Sequence, residues 1–171
     1  MTEFEAHHTF GGGTATSHDV AGCAPEEAMT VKAILQQKGY DVFTLGPNDQ
    51  LSEAVRVLAE NRVGALVITN GDGKIVGILS ERDIVRVLAK HGPAALDEPV
   101  RTGMTAKVKI CNEHHTVHEV MEIMTRGRFR HLPVEKDGKL HGIVSIGDVV
   151  KRRIEDVERE AEEIRTYIAT A

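Results

Sequence analysis

Leu51, Ala54, Val55 and Leu58 recur at i, i+3, i+4 and i+7 among polar neighbours between 51 and 61, which predicts an amphipathic helix lying on a sheet. The solid apolar run from Val63 to Thr69 reads as a strand. The punctuation Asn70-Gly71-Asp72-Gly73 reads as a hairpin turn, and Ile75 to Leu79 as the returning strand. Asp83 to Leu88 begins a further helix. Upstream, Val31 to Gln37 forms a short helix with Val31, Ile34 and Leu35 on one face and Gly39 as its stop. Val42 to Leu45 is a brief strand, and Pro47-Asn48-Asp49 is a turn that leaves a capping side chain for the helix from Leu51.

The same order returns downstream. Gly77-Ile-Leu-Ser-Glu-Arg-Asp83 reappears as Gly142-Ile-Val-Ser-Ile-Gly-Asp148, 65 residues on. Leu51, Glu53, Ala54 and Leu58 match Val117, Glu119, Val120 and Met124 at an offset of 66, which drops to 65 in the turn where Lys136-Asp137-Gly138 is one residue shorter. Such self-similarity marks two copies of one folded unit. The second unit reads as strand Val108 to Ile110, helix Val117 to Met124 behind a Thr116 to Glu119 capping box, strands Phe129 to Val134 and Leu140 to Val144, and a helix from Ile146. The fold class is therefore α+β: two repeated β-α-β-β-α lobes with pseudo-twofold symmetry, plus a long C-terminal helix. The expected boundaries are a leader at 1–28, a first domain at 29–92, a linker containing Pro93 and Pro99 at 93–102, a second domain at 103–155, and a helical extension at 156–171.

That extension carries Val150, Ile154, Val157, Ala161, Ile164 and Ile168 at spacings of 4, 3, 4, 3 and 4, the stripe of a coiled-coil seam. Fewer than three full heptads do not sustain a free coiled coil, so the expectation is a homodimer helped by this helix but founded on the lobes.

Composition narrows the function. The chain has 171 residues, 41% hydrophobic and 27% charged, as expected of a globular protein. Five acids and no Lys or Arg lie in residues 1–28, so the net charge of −5 belongs to that segment and the rest balances at 21 of each sign. A neutral body argues against nucleic-acid binding. No apolar run reaches the roughly 20 residues of a membrane span, and no signal peptide is visible, so the expected location is cytoplasmic. Residues 1–28, with three consecutive glycines and no apolar period, read as a disordered leader. His7, His8 and His18 have no scaffold there to hold a metal. Cys23 and Cys111 form no redox or metal pair, and read as reduced thiols.

The repeated motif sets a serine directly after a strand and an aspartate three residues later, one turn into a helix. Unpaired N–H groups at the helix start suit a phosphate, and Ser80 or Ser145 adds a hydroxyl. Asp83 and Asp148 are placed to accept two hydrogen bonds from a ribose diol. The plainer use of the same residues is a cap, with aspartate favouring the helix dipole. Two clusters tip the balance toward a ligand. Phe129-Arg130-His131-Leu132-Pro133 offers Arg130 and His131 to a phosphate, while Val63-Gly64-Ala65 at the equivalent place leaves room for a flat base. Arg82 is a further anion candidate whose counterpart is Gly147, so the two sites should differ.

With these motifs, and with Met104-Thr105 at the lobe junction, residues 30–155 resemble a tandem pair of cystathionine-β-synthase (CBS) domains, often called a Bateman module. The resemblance implies two related pockets for adenine ligands such as AMP, ADP, ATP, NAD(H) or S-adenosylmethionine. It also implies a disc-shaped homodimer and a role as an energy or redox sensor that regulates a partner protein. By carry-over, Asp83 and Asp148 hold ribose; Ser80 and Ser145 hold ribose or phosphate; Arg82, Arg130 and His131 hold phosphate; Thr44, Val63, Ala65, Ile110 and Phe129 frame the base; and Gly64 and Pro133 are further ligand-binding residues. Both pockets look intact.

An enzyme is not expected. Ser80 and Ser145 have no histidine partner at a fixed offset and no nucleophile elbow is present. His114 and His115 precede the helix on which His118 and Glu122 share a face, which reads as a solvated helix entry rather than a metal centre. No catalytic cofactor is implied. The alternative reading is a non-catalytic interaction or dimerisation module with vestigial pockets, which the apparently stand-alone format and the long last helix would suit.

Overall fold

The computed structural model describes residues 29–171, so the expected leader, His7, His8, His18 and Cys23 lie outside the described residues. Ten elements follow in order: α1 (Val31–Lys38), β1 (Thr44–Leu45), α2 (Leu51–Asn61), β2 (Ala65–Thr69), β3 (Ile75–Ser80), α3 (Glu81–His91), α4 (Val117–Gly127), β4 (His131–Lys136), β5 (Lys139–Ser145) and α5 (Ile146–Thr170).

In the first lobe β1 runs parallel to β2, and β2 pairs antiparallel with β3. Asn70 forms the hairpin turn by accepting from the N–H groups of Asp72 and Lys74, at 3.2 and 2.9 Å, and Gly73 takes the left-handed conformation at φ 78°. In the second lobe β4 pairs antiparallel with β5. The two hairpins carry register shifts at matching places, Ile68/Thr69 and Val134/Glu135, as copies of one unit should.

The strand expected at Val108 to Ile110 is reduced to a single parallel bridge from Cys111 to Val134, the counterpart of Leu45 against Ile68. Lys109 and Ile110 are exposed while Cys111 is buried, so only Cys111 gains from docking on the sheet. Burial also pushes its thiol up to about 12, which leaves it inert.

The capping side chain expected for α2 is likewise absent. Asp49 accepts from the Gly46 N–H at 2.7 Å, inside its own turn, and Gln50 at the N-cap makes no side-chain bond. The first helical N–H, that of Leu51, is satisfied instead by the carbonyl of Glu98 at 2.9 Å.

That bond belongs to a crossing of the chain. Val31, Ile34 and Leu35 of α1 are buried in the second lobe's core with Val117, Val120, Met124, Leu132, Val134, Val144 and Val149. The stretch expected as a linker instead folds into two short 3-10 turns, Pro93–Asp97 and Val100–Thr102. Their Ala95 and Val100 are fully buried in the first lobe's core with Leu51, Leu66, Ile68 and Leu79. The segment entering each repeat thus completes the core of the other lobe, and neither small lobe is closed without it. Among the described residues no helix is long and apolar enough to cross a membrane.

Candidate functional site

Both copies of the repeated motif fold as capping boxes. Ser80 accepts from the Asp83 N–H at 3.3 Å, and Asp83 Oδ2 accepts in return from the Ser80 N–H and hydroxyl at 2.9 and 2.7 Å. Ser145 and Asp148 repeat this with 3.2, 2.8 and 2.9 Å. The hydroxyl protons are committed to the carboxylates, so each serine positions its aspartate, and one carboxylate oxygen of each serves the cap. Asp83 Oδ1 accepts from the Arg86 guanidinium at 3.0 Å. Asp148 differs: its Oδ2 also accepts from Lys38 Nζ at 2.7 Å.

A cleft of about 260 Å³ lies between the lobes at the first motif, near the lower end of the roughly 300–1,000 Å³ usual for small-ligand sites. It brings together Gly64, Ala65, Ser80, Arg82, Asp83, Phe129, Arg130 and His131 of the residues expected from sequence. Thr44, Val63, Ile110, Pro133, Ser145 and Asp148 do not line it.

Each wall is held within its own lobe by a backbone bond where the strand meets the motif helix. The Glu81 N–H donates to the Gly64 carbonyl at 3.2 Å and the Ile146 N–H to the Arg130 carbonyl at 2.8 Å, one such bond per lobe. Arg82 reaches across to the Arg128 carbonyl at 3.4 Å. His131 packs on Gly64, where an added Cβ would lie 3.0 Å from the imidazole Cε1. Burial, and then the charges of Arg130 and Lys38, hold the imidazole below its ordinary value against the opposing pull of Asp148 and Glu81. His131 is therefore neutral at pH 7.

The lining also includes residues that sequence reasoning missed: Arg86, Lys107, Lys109 and Arg128. With Arg82 and Arg130 they make six cations facing two acids, Glu81 and Asp83, an anion-attracting rim. Arg128 sits at φ 54°, a left-handed position where glycine or asparagine is less strained, as does Arg62 at φ 53° in the other lobe. A signal for Lys107 was present at a different offset. Residues 30–38 and 99–107 align at 69, matching Val31 with Val100, Leu35 with Met104 and Lys38 with Lys107. The structure bears out the match, since Thr30 bridges Thr116 where Pro99 bridges Gln50. Lys38 at the second motif is thus the counterpart of Lys107 at the first. For the second motif, burial pushes the Asp148 carboxyl up, but hydrogen bonds from Lys38 and from the Ser145 N–H and hydroxyl outweigh it, leaving Asp148 below the ordinary carboxylate value.

Residues 31–90 and 100–155 each match the family model of the CBS domain. The CBS-domain containing protein ATU1752 from Agrobacterium tumefaciens is 48% identical, with a TM-score of 0.71 over 74% of this chain and 94% of that one. The mitochondrial CBS domain-containing protein CBSX3 of Arabidopsis thaliana is 31% identical over 150 residues, 83% of this chain and 73% of the plant protein. The CBS domain pair of protein MJ0100, solved in complex with 5′-methylthioadenosine and S-adenosyl-L-methionine, is 28% identical with a TM-score of 0.64 over 71% of this chain and 93% of that one.

Proposed function

The chain belongs to the CBS domain family and carries two such domains in tandem, and on that premise we propose that it is a regulatory module sensing a phosphorylated adenine nucleotide in the cleft at the first motif. The carrying observation is that Asp83, held by its capping box, shares one cleft with Arg82, Lys107, Arg128 and Arg130 from both lobes. The carboxylate suits a ribose diol, and the small Gly64-Ala65 wall suits a flat base. The similar MJ0100 pair was solved with two adenosine compounds. The cation excess argues for phosphates on the adenosine here, AMP, ADP, ATP or NAD(H), ahead of a sulfonium such as S-adenosylmethionine, which a positive rim disfavours.

A nucleotide spanning the cleft touches both lobes, so ligands differing in phosphate number or in a nicotinamide group favour different lobe angles. The module regulates its partner protein through that difference and performs no catalysis itself. The test is a thermal-shift panel of AMP, ADP, ATP, NAD+, NADH and S-adenosylmethionine on the full chain, with calorimetry on the best ligand. A shift for a phosphorylated ligand that disappears in Asp83→Asn supports the reading. No shift with any of the six leaves an interaction module with vestigial pockets.

A further inference from the structure

Arg86 holds the one group on which ribose recognition in the cleft depends. Of the two Asp83 oxygens, Oδ2 already accepts from the Ser80 N–H and from the Ser80 hydroxyl. A ribose diol therefore needs Oδ1, and Oδ1 accepts from the Arg86 guanidinium at 3.0 Å. The aspartate side chain is 11% exposed and the arginine side chain 68%, so the acceptor is fixed while the cation is free to swing into water, and an ion pair this exposed is weak enough to be displaced.

Arg86 also lies one helical turn beyond Arg82 on the same face of α3, and both line the cleft with Arg128 and Arg130 of the second lobe. We propose that Arg86 makes the cleft choose phosphorylated ligands over the bare nucleoside: a ribose displaces it from Asp83, and only a ligand that carries a phosphate takes up the freed guanidinium. Adenosine breaks the Arg86–Asp83 pair and returns the cation to water. A nucleotide breaks the same pair but gains a charge-assisted hydrogen bond in exchange, and specificity is the difference between the two. The second motif is built otherwise. There Lys151, the residue 65 positions on from Arg86, lies 3.9 Å from Glu155, and Asp148 is held by Lys38 of α1. The inference rests on the nucleotide reading of the cleft and adds the source of its selectivity.

Calorimetry of the full chain and of Arg86→Met tests it, with adenosine beside AMP, ADP, ATP, NAD+ and NADH. Adenosine should bind Arg86→Met about threefold more tightly than wild type, because its ribose no longer competes with an ion pair. The phosphorylated ligand that binds wild type best should bind the variant about tenfold more weakly. Changes of opposite sign cannot arise from a folding defect, which weakens both ligands. An adenosine affinity that fails to rise, or a nucleotide affinity that fails to fall, overturns the role of Arg86 and leaves the nucleotide reading standing. Wild type that binds none of the phosphorylated ligands overturns both.

Discussion

Lys38 Nζ lies 2.7 Å from Asp148 Oδ2 and also donates to the Ile143 carbonyl at 3.0 Å, tying α1 to the start of α5. The link makes the second motif part of the chain crossing, because the lysine comes from the segment that enters the first repeat while the aspartate opens the last helix of the second.

Asp148 titrates below the ordinary carboxylate value in the folded protein, despite the opposing effect of its burial. A depressed carboxylate contributes stability above its unfolded value, near pH 3.9, and loses it as pH falls through the folded value. Lys38→Met removes the chief opposing donor. Urea denaturation should place the variant about 0.5–1 kcal/mol below wild type at pH 7, a figure already discounted for the pair's partial exposure. The gap should close as pH falls toward 3; a gap of equal size at both ends would show that the methionine disturbs packing rather than charge.

His131 gives the cleft a pH dependence of the same sign in a higher pH window. Its imidazole is held below the ordinary value, first by burial and then by Arg130 and Lys38, so the unfolded chain takes up the proton first. Stability of the free protein should therefore decline as pH falls below about 6.5 and through the lower folded value. A phosphate in the cleft reverses this locally by favouring imidazolium, so binding takes up protons. Calorimetry near pH 6.5 in two buffers of different ionisation enthalpy should register that uptake in wild type and a smaller uptake in His131→Asn. Identical uptake in the two proteins would place the titration on the ligand alone.

Much of this was legible in the sequence because the repeat is carried by local rules. Leu51 to Asn61, Val117 onward and both Ser-x-x-Asp caps obey helix periodicity and capping chemistry, and these act within a few residues. What escaped depends on contacts distant in the chain. The Leu51 N–H is capped by Glu98, and Val31 and Val100 each cross over to fill the core of the lobe opposite the one their segment enters. Lys107 entered the cleft on a repeat offset of 69 that a search at 65 or 66 passes over.

Asp83 has two duties that substitutions can separate. Asp83→Asn keeps an oxygen able to accept from the Ser80 N–H and so retains most of the capping box; Asp83→Ala loses the carboxylate half of the box, leaving only the bond from the residue-83 N–H to the Ser80 side chain, and should cost about 1 kcal/mol of stability. Both should lose the stabilisation that nucleotide confers, which at 100 times the dissociation constant is about 2.7 kcal/mol. Thermal melts with and without ligand read the two effects independently. An Asp83→Asn protein that still gains the full shift would remove the carboxylate from the binding site.

The chain crossing can be probed at its tightest contacts, because the two glycines that open the repeated motif each face a side chain from the entering segment. An added Cβ at Gly77 would lie 2.4 Å from Met104 Sδ, and one at Gly142 would lie 2.9 and 3.0 Å from the two methyl carbons of Leu35. The distances rank Gly77 as the worse clash, yet the chemistry of the neighbours argues the reverse. Met104 is unbranched, only partly buried and meets the glycine through flexible bonds, so it can swing aside. Leu35 is fully buried in the second core, and both of its methyl groups meet the new atom. Gly142→Ala should therefore cost about 2–3 kcal/mol and Gly77→Ala less than about 1.5 kcal/mol, by urea denaturation. Trimming the opposing side chain should give back part of the larger loss, so that Gly142→Ala/Leu35→Val is less destabilised than the sum of its two single changes. Strict additivity of that pair would mean that Leu35 and Gly142 are not in contact.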